Sequence, residues 1–198
     1  MRFAHLMAAA SLLTACAPTT ELLSTWKDPA AAPLHFEKVL AVCMCKDAAL
    51  RRTVEDQLTT RIPRATPSYT LLSEAELRDR DAAKAKVKAA GFDGAVVMRL
   101  VNVSKEATYV PGQVYVVPSS YSTLWGGWDY GWSTVYDPGY VQVDQYVDMN
   151  TAVYSVKDEK LLWASRSQTQ NPSSVPSLVD EIVETTAKEM KKQGVLGK

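Results

Sequence analysis

The sequence predicts an α/β (α+β) fold: a mixed sheet with helices packed on it, in the order β-α-β-α-β followed by antiparallel hairpins and a C-terminal helix. Three observations predict it. Val39 to Cys45 is an unbroken apolar run of the kind buried on both faces of a sheet. Leu50, Val54, Leu58 and Ile62 then recur every fourth residue, which lays one apolar stripe down a helix. Between Val141 and Val153 the apolar residues Val141, Val143, Val147, Met149 and Val153 hold odd positions, while Gln142, Asp144, Asp148 and Asn150 hold even ones. That alternation is a strand with one wet face.

The elements follow in order. The run from Val39 to Cys45 is expected as the central strand. Asp47 caps the helix that carries Leu50 to Ile62, and Pro63 ends it. A strand followed by a helix in this way is a crossover unit. Ser68 to Leu72 reads as a short second strand, and Ser73 with Glu76 as the capping box of a charged, Ala-rich helix ending at Gly91. Gly94 to Val103 is the third strand. The alternating strand Val141 to Val153 is joined by the turn Lys157 to Lys160 to a partner over Leu161 to Thr169, in which Trp163 points into the core. After a loop with Pro172 and Pro176, Ser177 and Asp180 cap a last helix with Val179, Ile182, Val183 and Met190 on one side. Lys191 and Lys192 sit at its negative end, and Gly194 lies beyond it.

The N-terminus has its own pattern. Arg2 precedes an apolar stretch, Leu6 to Leu13, that is too short to span a bilayer, since a spanning helix needs about 20 residues. Leu13 Thr14 Ala15 Cys16 closes it, and this resembles the lipobox of bacterial lipoproteins. The resemblance implies that residues 1–15 are a signal peptide and that Cys16 becomes the acylated N-terminus. A triacylated cysteine anchors a protein stably to a membrane, which is the implied membrane partner. Ala17 stands where an inner-membrane retention signal would carry Asp, so the expected location is the outer membrane, facing the periplasm. Residues 16–36, rich in Ala, Pro and Thr, read as a lipid-anchored tether, and Trp26 within it as docking back on the domain. Residues 37–198 read as a single α/β domain. The strand at Val39, the helix with Arg51 and Glu55, the entry Gly91 Phe92 Asp93 Gly94 and the late Leu161 Leu162 Trp163 together resemble small α/β domains of periplasmic lipoproteins. Such domains occur in penicillin-binding-protein activators, the curli secretion lipoprotein and the N-terminal part of TolB. More broadly the layout is similar to uncharacterised bacterial lipoproteins that carry no assigned activity.

Charge excludes one class of partner. Lys plus Arg and Asp plus Glu number 22 each, so no net field draws nucleic acid. The mature chain holds one histidine, His35, which argues against Ser-His-Asp or Cys-His catalysis. Cys43 and Cys45 are expected as buried free thiols, because a disulfide between them closes a very short loop in an extended chain. Without further cysteines or histidines a metal site lacks ligands. No Gly-rich loop carries the Lys and Ser or Thr of a phosphate site, and no cofactor is expected. The carboxylate pairs Glu55 with Asp56 and Asp144 with Asp148 read as solvated faces rather than as acid and base. No catalytic residue is expected.

One segment remains. Residues 109–140 form an insertion holding Tyr109, Tyr115, Tyr121, Trp125, Trp128, Tyr130, Trp132, Tyr136 and Tyr140 among Gly, Ser and Pro, with only Asp129 and Asp137 charged. A loop of this length is functional or disordered unless it packs as a lid. Tyr and Trp bury large areas while keeping a polar group for hydrogen bonds, so Trp125, Trp128, Tyr130, Trp132 and Tyr136 are the candidate binding residues. The expected function is a non-enzymatic binding or assembly module that presents this segment to an envelope protein, a glycan or the membrane interface. The alternatives are an envelope hydrolase using Asp129, Asp137 or the carboxylates of the wet strand face, and a self-associating structural lipoprotein.

Overall fold

The apolar run at Val39 does form a strand with both faces covered, and the sheet is built outward from it. The structure is a computed structural model that describes residues 20–31, 33–117 and 133–196, with backbone alone at 115–117 and 133–135. Its strands are Thr20–Lys27 (β1), Val39–Cys43 (β2), Ala65–Pro67 (β3), Gly94–Val110 (β4), Gln113–Val117 (β5), Ser133–Asp137 (β6), Tyr140–Ser155 (β7) and Lys160–Gln170 (β8). The helices are Ala48–Arg61 (α1), Glu74–Arg78 (α2), Arg80–Ala89 (α3) and Val175–Lys192 (α4). The six-stranded sheet has the order β1-β8-β7-β4-β2-β3, and β5 pairs with β6 apart from it. Pairings among β2, β3 and β4 are parallel and all others antiparallel. This is the mixed α+β sheet the sequence predicts.

Alternation along β2 explains its double burial. Ala41 and Cys43 join Val54, Leu58, Met98, Val179 and Ile182 beneath α1 and α4, and Val39 joins Val153, Trp163 and Met190 beside them. Leu40 and Val42 face the other way, onto Phe92 and the partly buried Leu77 and Val87 of α2 and α3. The strand is therefore sandwiched, although β3 rather than β2 forms the sheet edge on that side. Trp163 is fully buried, and its indole N–H reaches Gln193 Oε1 at 2.9 Å, which satisfies its one polar group.

Several local expectations change. The short strand lies at Ala65–Pro67, and Ser68–Thr70 is a 3-10 turn instead. The charged helix is broken at Asp79, whose carboxylate caps α3 by accepting from the N–H groups of Asp81 and Ala82. Ser73 and Glu76 do form the capping box of α2. α4 starts earlier than Ser177: Ser174 caps it reciprocally with Ser177, and Pro176 lies in the first turn, where a missing N–H costs nothing. Residues Thr20–Lys27, within the expected tether, are an edge strand paired with β8, and Trp26 is half exposed rather than docked.

Several side-chain expectations are overturned: Asp144 and Asp148, like Glu55, are buried rather than solvated, and the two cysteines are bonded rather than free. Glu55 is fully buried rather than solvated. Its Oε1 accepts from the Cys43 N–H (2.9 Å), Arg51 Nε (3.0 Å) and Ser68 Oγ (2.7 Å), and Oε2 from the Tyr69 N–H (2.9 Å). Arg51, also buried, donates further to Ser68 Oγ (2.8 Å) and to the Leu72 carbonyl (3.3 Å). A buried ion pair is tolerated when its remaining lone pairs and protons find partners, and this one ties α1, β2 and the 3-10 turn together. Cys43 and Cys45 are joined as a disulfide rather than free. β2 stops at Cys43, and the chain contracts just beyond it: the two Cα atoms are 5.3 Å apart, within disulfide range, whereas a continuing strand would hold them about 6.6 Å apart.

Candidate functional site

β4 and β7 are far longer than their neighbours, and this makes an arm. β2 accompanies β4 only as far as Met98, and β8 accompanies β7 only back to Tyr146. Gln145 still bonds Asn171 through its backbone N–H and carbonyl, and beyond Lys105↔Gln145, from Glu106↔Asp144 to Val110↔Tyr140, the two strands pair only with each other among the described residues. At about 3.4 Å per residue this ribbon extends about 17 Å beyond the sheet. A bulge at the base, between Leu100 and Asn102, admits one extra residue and shifts the alternation of β4 from even to odd.

The ribbon has two unlike faces. On one, Ala107 lies opposite Val143 and Tyr109 opposite Val141, and Tyr109, Val141 and Val143 are 65%, 61% and 57% exposed. On the other lie Glu106 opposite Asp144 and Thr108 opposite Gln142. Val141 and Val143 belong to the odd positions expected in the core, but no helix among the described residues covers them. Only Val147, Met149 and Val153 of that set are buried.

A tight corner ends the ribbon. A Cβ on Gly139 would come within 2.7 Å of the Val110 carbonyl oxygen, so only glycine lets the two chains pass. Beyond it β5 and β6 pair, with Val114 opposite Tyr136, and Tyr136 is 69% exposed. Residues 118–132 join the ends of this second hairpin. Trp125, Trp128, Tyr130 and Trp132 fall there, outside the described residues, as does Asp129. Cys16 also lies outside them. Tyr136 is thus the one binding candidate that is placed, and it is accessible. Tyr109, Val141 and Val143 extend the exposed apolar surface toward the sheet. The sequence signal for them was available: the alternation of β4 continues through Val103, Ala107 and Tyr109 after its other neighbours have ended.

Among the described residues, the carboxylates named for an acid–base role do not converge on a shared pocket. Asp144 accepts from Asn171 Nδ2 (2.7 Å) and Gln142 Nε2 (3.0 Å), and these bonds hold its carboxyl below the usual range. Asp148 accepts from Arg166 Nη2 (2.7 Å) and Gln168 Nε2 (2.9 Å), with the same effect. Both are engaged in holding β7 to β8 and the following turn. Asp137 closes β6 at the far end of the arm, and Glu55 is locked inside the core. Among the described residues no group of three or more His, Cys, Asp or Glu is placed to hold a metal ion. No helix among them is long and apolar enough to cross a membrane.

No family model and no curated protein matches the chain. Among solved structures it is similar to a variant of the PelC dodecamer from Paraburkholderia phytofirmans, with 9% identity and a TM-score of 0.43 over 83% of this chain and 95% of that one. A second crystal form of the PelC dodecamer gives 9% identity and a TM-score of 0.42 over 90% and 99%. Lipoprotein GNA1162 from Neisseria meningitidis gives 11% and 0.39 over 78% and 98%. At such identities and TM-scores the likeness carries no argument about what this chain binds.

Proposed function

We propose that this chain is a bacterial cell-envelope lipoprotein, anchored through acylated Cys16 to the outer membrane and facing the periplasm, that acts as a binding or assembly module rather than an enzyme. Its arm offers the aromatic segment to an envelope protein or a glycan. The observation that carries this reading is the exposed apolar face of the arm, Tyr109, Val141, Val143 and Tyr136, leading to a segment rich in Trp and Tyr. Apolar surface of this kind, outside any core, is where a partner gains most by excluding water. The Cys43–Cys45 disulfide supports an oxidising compartment such as the periplasm.

The test is crosslinking followed by pull-down from the native envelope, comparing the wild-type chain with Tyr136→Ala and with Val141→Ser plus Val143→Ser. Specific partners should be recovered with the wild type and fall at least tenfold in yield with the variants, at unchanged melting temperature. Unchanged recovery with folded variants overturns the proposal.

A second reading, self-association, is favoured by the edges of β4 beyond Met98 and of β7 before Gln145, which pair with no further strand among the described residues. Sedimentation velocity separates the two. Under self-association the wild type sediments as an oligomer and the arm variants as monomers.

A further inference from the structure

Cys43 and Cys45 are bonded across a single intervening residue, in the turn that carries the chain from the carboxyl end of β2 to α1. A staple so placed secures little. The chain-entropy gain of a disulfide grows with the loop it closes, and Cys43 is already fixed by its ladder with β4 and by its N–H bond to Glu55. What sets the pair apart is unequal access. Cys43 is fully buried with Val54 and Leu58 of α1, whereas Cys45 is partly exposed and Met44 between them is 49% exposed. Cys45 borders a cleft of about 240 Å³ between the start of α1 and α2, lined also by Lys46, Arg51, Glu74 and Arg78. Arg51 is engaged by Glu55. Lys46 and Arg78 are exposed and form no ion pair among the described residues, so with only Glu74 against them the cleft is positive.

We propose that the Cys43–Cys45 bond is redox-active and accepts two electrons from a dithiol on another polypeptide, with Cys45 as the point of entry. A thiolate of the partner attacks Cys45 Sγ, and the Cys43–Cys45 bond breaks. Cys43 leaves with the bonding pair and takes up a proton. The partner's second thiolate then attacks the partner's own sulfur in the mixed disulfide, which forms the partner's disulfide and frees Cys45 as a thiolate that is protonated in turn. The partner has lost two electrons and two protons, and this chain holds them as two thiols. Each feature of the site has a part in this. Lys46 and Arg78 attract the thiolate, which is the form that attacks. Met44 offers an exposed thioether, an adaptable apolar contact for the chain around an incoming cysteine, and so favours a polypeptide over a small thiol. Cys43, held in the core, stays beside Cys45 and can re-form the bond when an oxidant returns. This activity is independent of the arm and stands whether or not the arm binds a partner.

The test uses the full chain carrying Cys16→Ser, in which Cys43 and Cys45 are the only cysteines, and a reduced synthetic peptide with two cysteines as probe. After acid quenching, mass analysis should show the peptide losing two hydrogens as the folded protein gains two, at a rate no lower than that of the same protein unfolded in urea. The reduced protein should stay folded, with a melting temperature within about 6 °C of the oxidised one. With Cys43→Ser added, Cys45 should form a mixed disulfide with glutathione disulfide in the folded state. With Cys45→Ser instead, Cys43 should react at least tenfold more slowly until the protein is unfolded. Lys46→Gln with Arg78→Gln should slow oxidation of the peptide at least threefold at low salt. A bond that resists the peptide in the folded protein and yields only on unfolding is a structural staple, and overturns the proposal; this arm carries the test by itself if a single-cysteine variant fails to fold. Equal reaction of the two single cysteines overturns entry at Cys45, and an unchanged rate in the double glutamine variant overturns the part given to the cleft.

Discussion

Replacing Glu55 by Ala would leave the Arg51 guanidinium buried without its counter-charge, and orphan the N–H groups of Cys43 and Tyr69 besides. Breaking a buried pair on one side costs about 3 to 5 kcal/mol, so Glu55→Ala should lower the denaturation midpoint strongly. Chemical denaturation followed by circular dichroism measures it, and a loss below about 1 kcal/mol would show the network to be dispensable. The disulfide next to it should matter less. Its closed loop is so short that the chain-entropy contribution is only about 1.5 kcal/mol. Non-reducing intact mass should show one bond between Cys43 and Cys45, and thiol labelling of the unfolded, unreduced protein should find neither cysteine. Glu55 looked like a surface acid because the sequence places Asp56 beside it, and Asp56 is indeed exposed. A helix one residue further round buries its neighbour, and no property of the carboxylate itself announces which one.

At the scale of elements, the ladder between β7 and β8 carries the pH dependence. Asp144 and Asp148 are held ionised by Asn171 and Gln142 and by Arg166 and Gln168, so their folded-state pKa values lie below their unfolded ones. Their contribution is fully present above the unfolded value near pH 4 and is lost as pH falls through the lower folded values. Glu76, bonded by Lys86 and Ser73, is lowered to about 2, and Glu159, between Lys84 and Lys88, also to about 2, which adds to the same acid loss. Melting temperature should therefore fall between about pH 5 and pH 2, and Asp148→Asn should flatten that fall; a slope identical to wild type would count against the assignment. The arm behaves differently. Val141→Ser and Val143→Ser should change stability by no more than about 0.5 kcal/mol each, because these side chains are more than half exposed and their cross-strand neighbours are Tyr109 and Ala107 rather than the core. The order of strands and helices was legible in apolar periodicity, as were Trp163, the caps Asp47 and Ser73, and the double burial of β2. Periodicity says that a residue has neighbours on one face, but not whether a second layer is present. Val141 and Val153 hold equivalent positions in one alternation, yet one lies on a free ribbon and the other beneath α4. β1 was hidden for the opposite reason. An edge strand needs only backbone partners, so Glu21 to Lys27 shows no run of apolar residues to betray it.

At the scale of the whole molecule, acylation makes a direct prediction: Cys16→Ser should block processing at this site, whereas mass analysis of the wild-type mature N-terminus should show acyl groups. A mature wild-type N-terminus lacking them would refute the anchor. The early start of β1 then has a geometric consequence. Thr20 pairs with Thr169, Thr169 with Val147 and Val147 with Val103, so the chain enters the sheet at the level where the arm leaves it. β1 runs away from that end, so its first residue, Thr20, lies on the arm's side of the sheet. The four steps from Cys16 to Thr20 span at most about 14 Å, less than the ribbon alone reaches. An acyl group on Cys16 would thus press the arm's end of the molecule toward the bilayer and confine its encounters to a thin film above one leaflet. With such an anchor, partner choice would become a search in two dimensions, governed by surface density rather than bulk concentration. A flexible insert between Cys16 and Thr20 would free the arm to sample greater depth, at the cost of the crowding that lets weak contacts count.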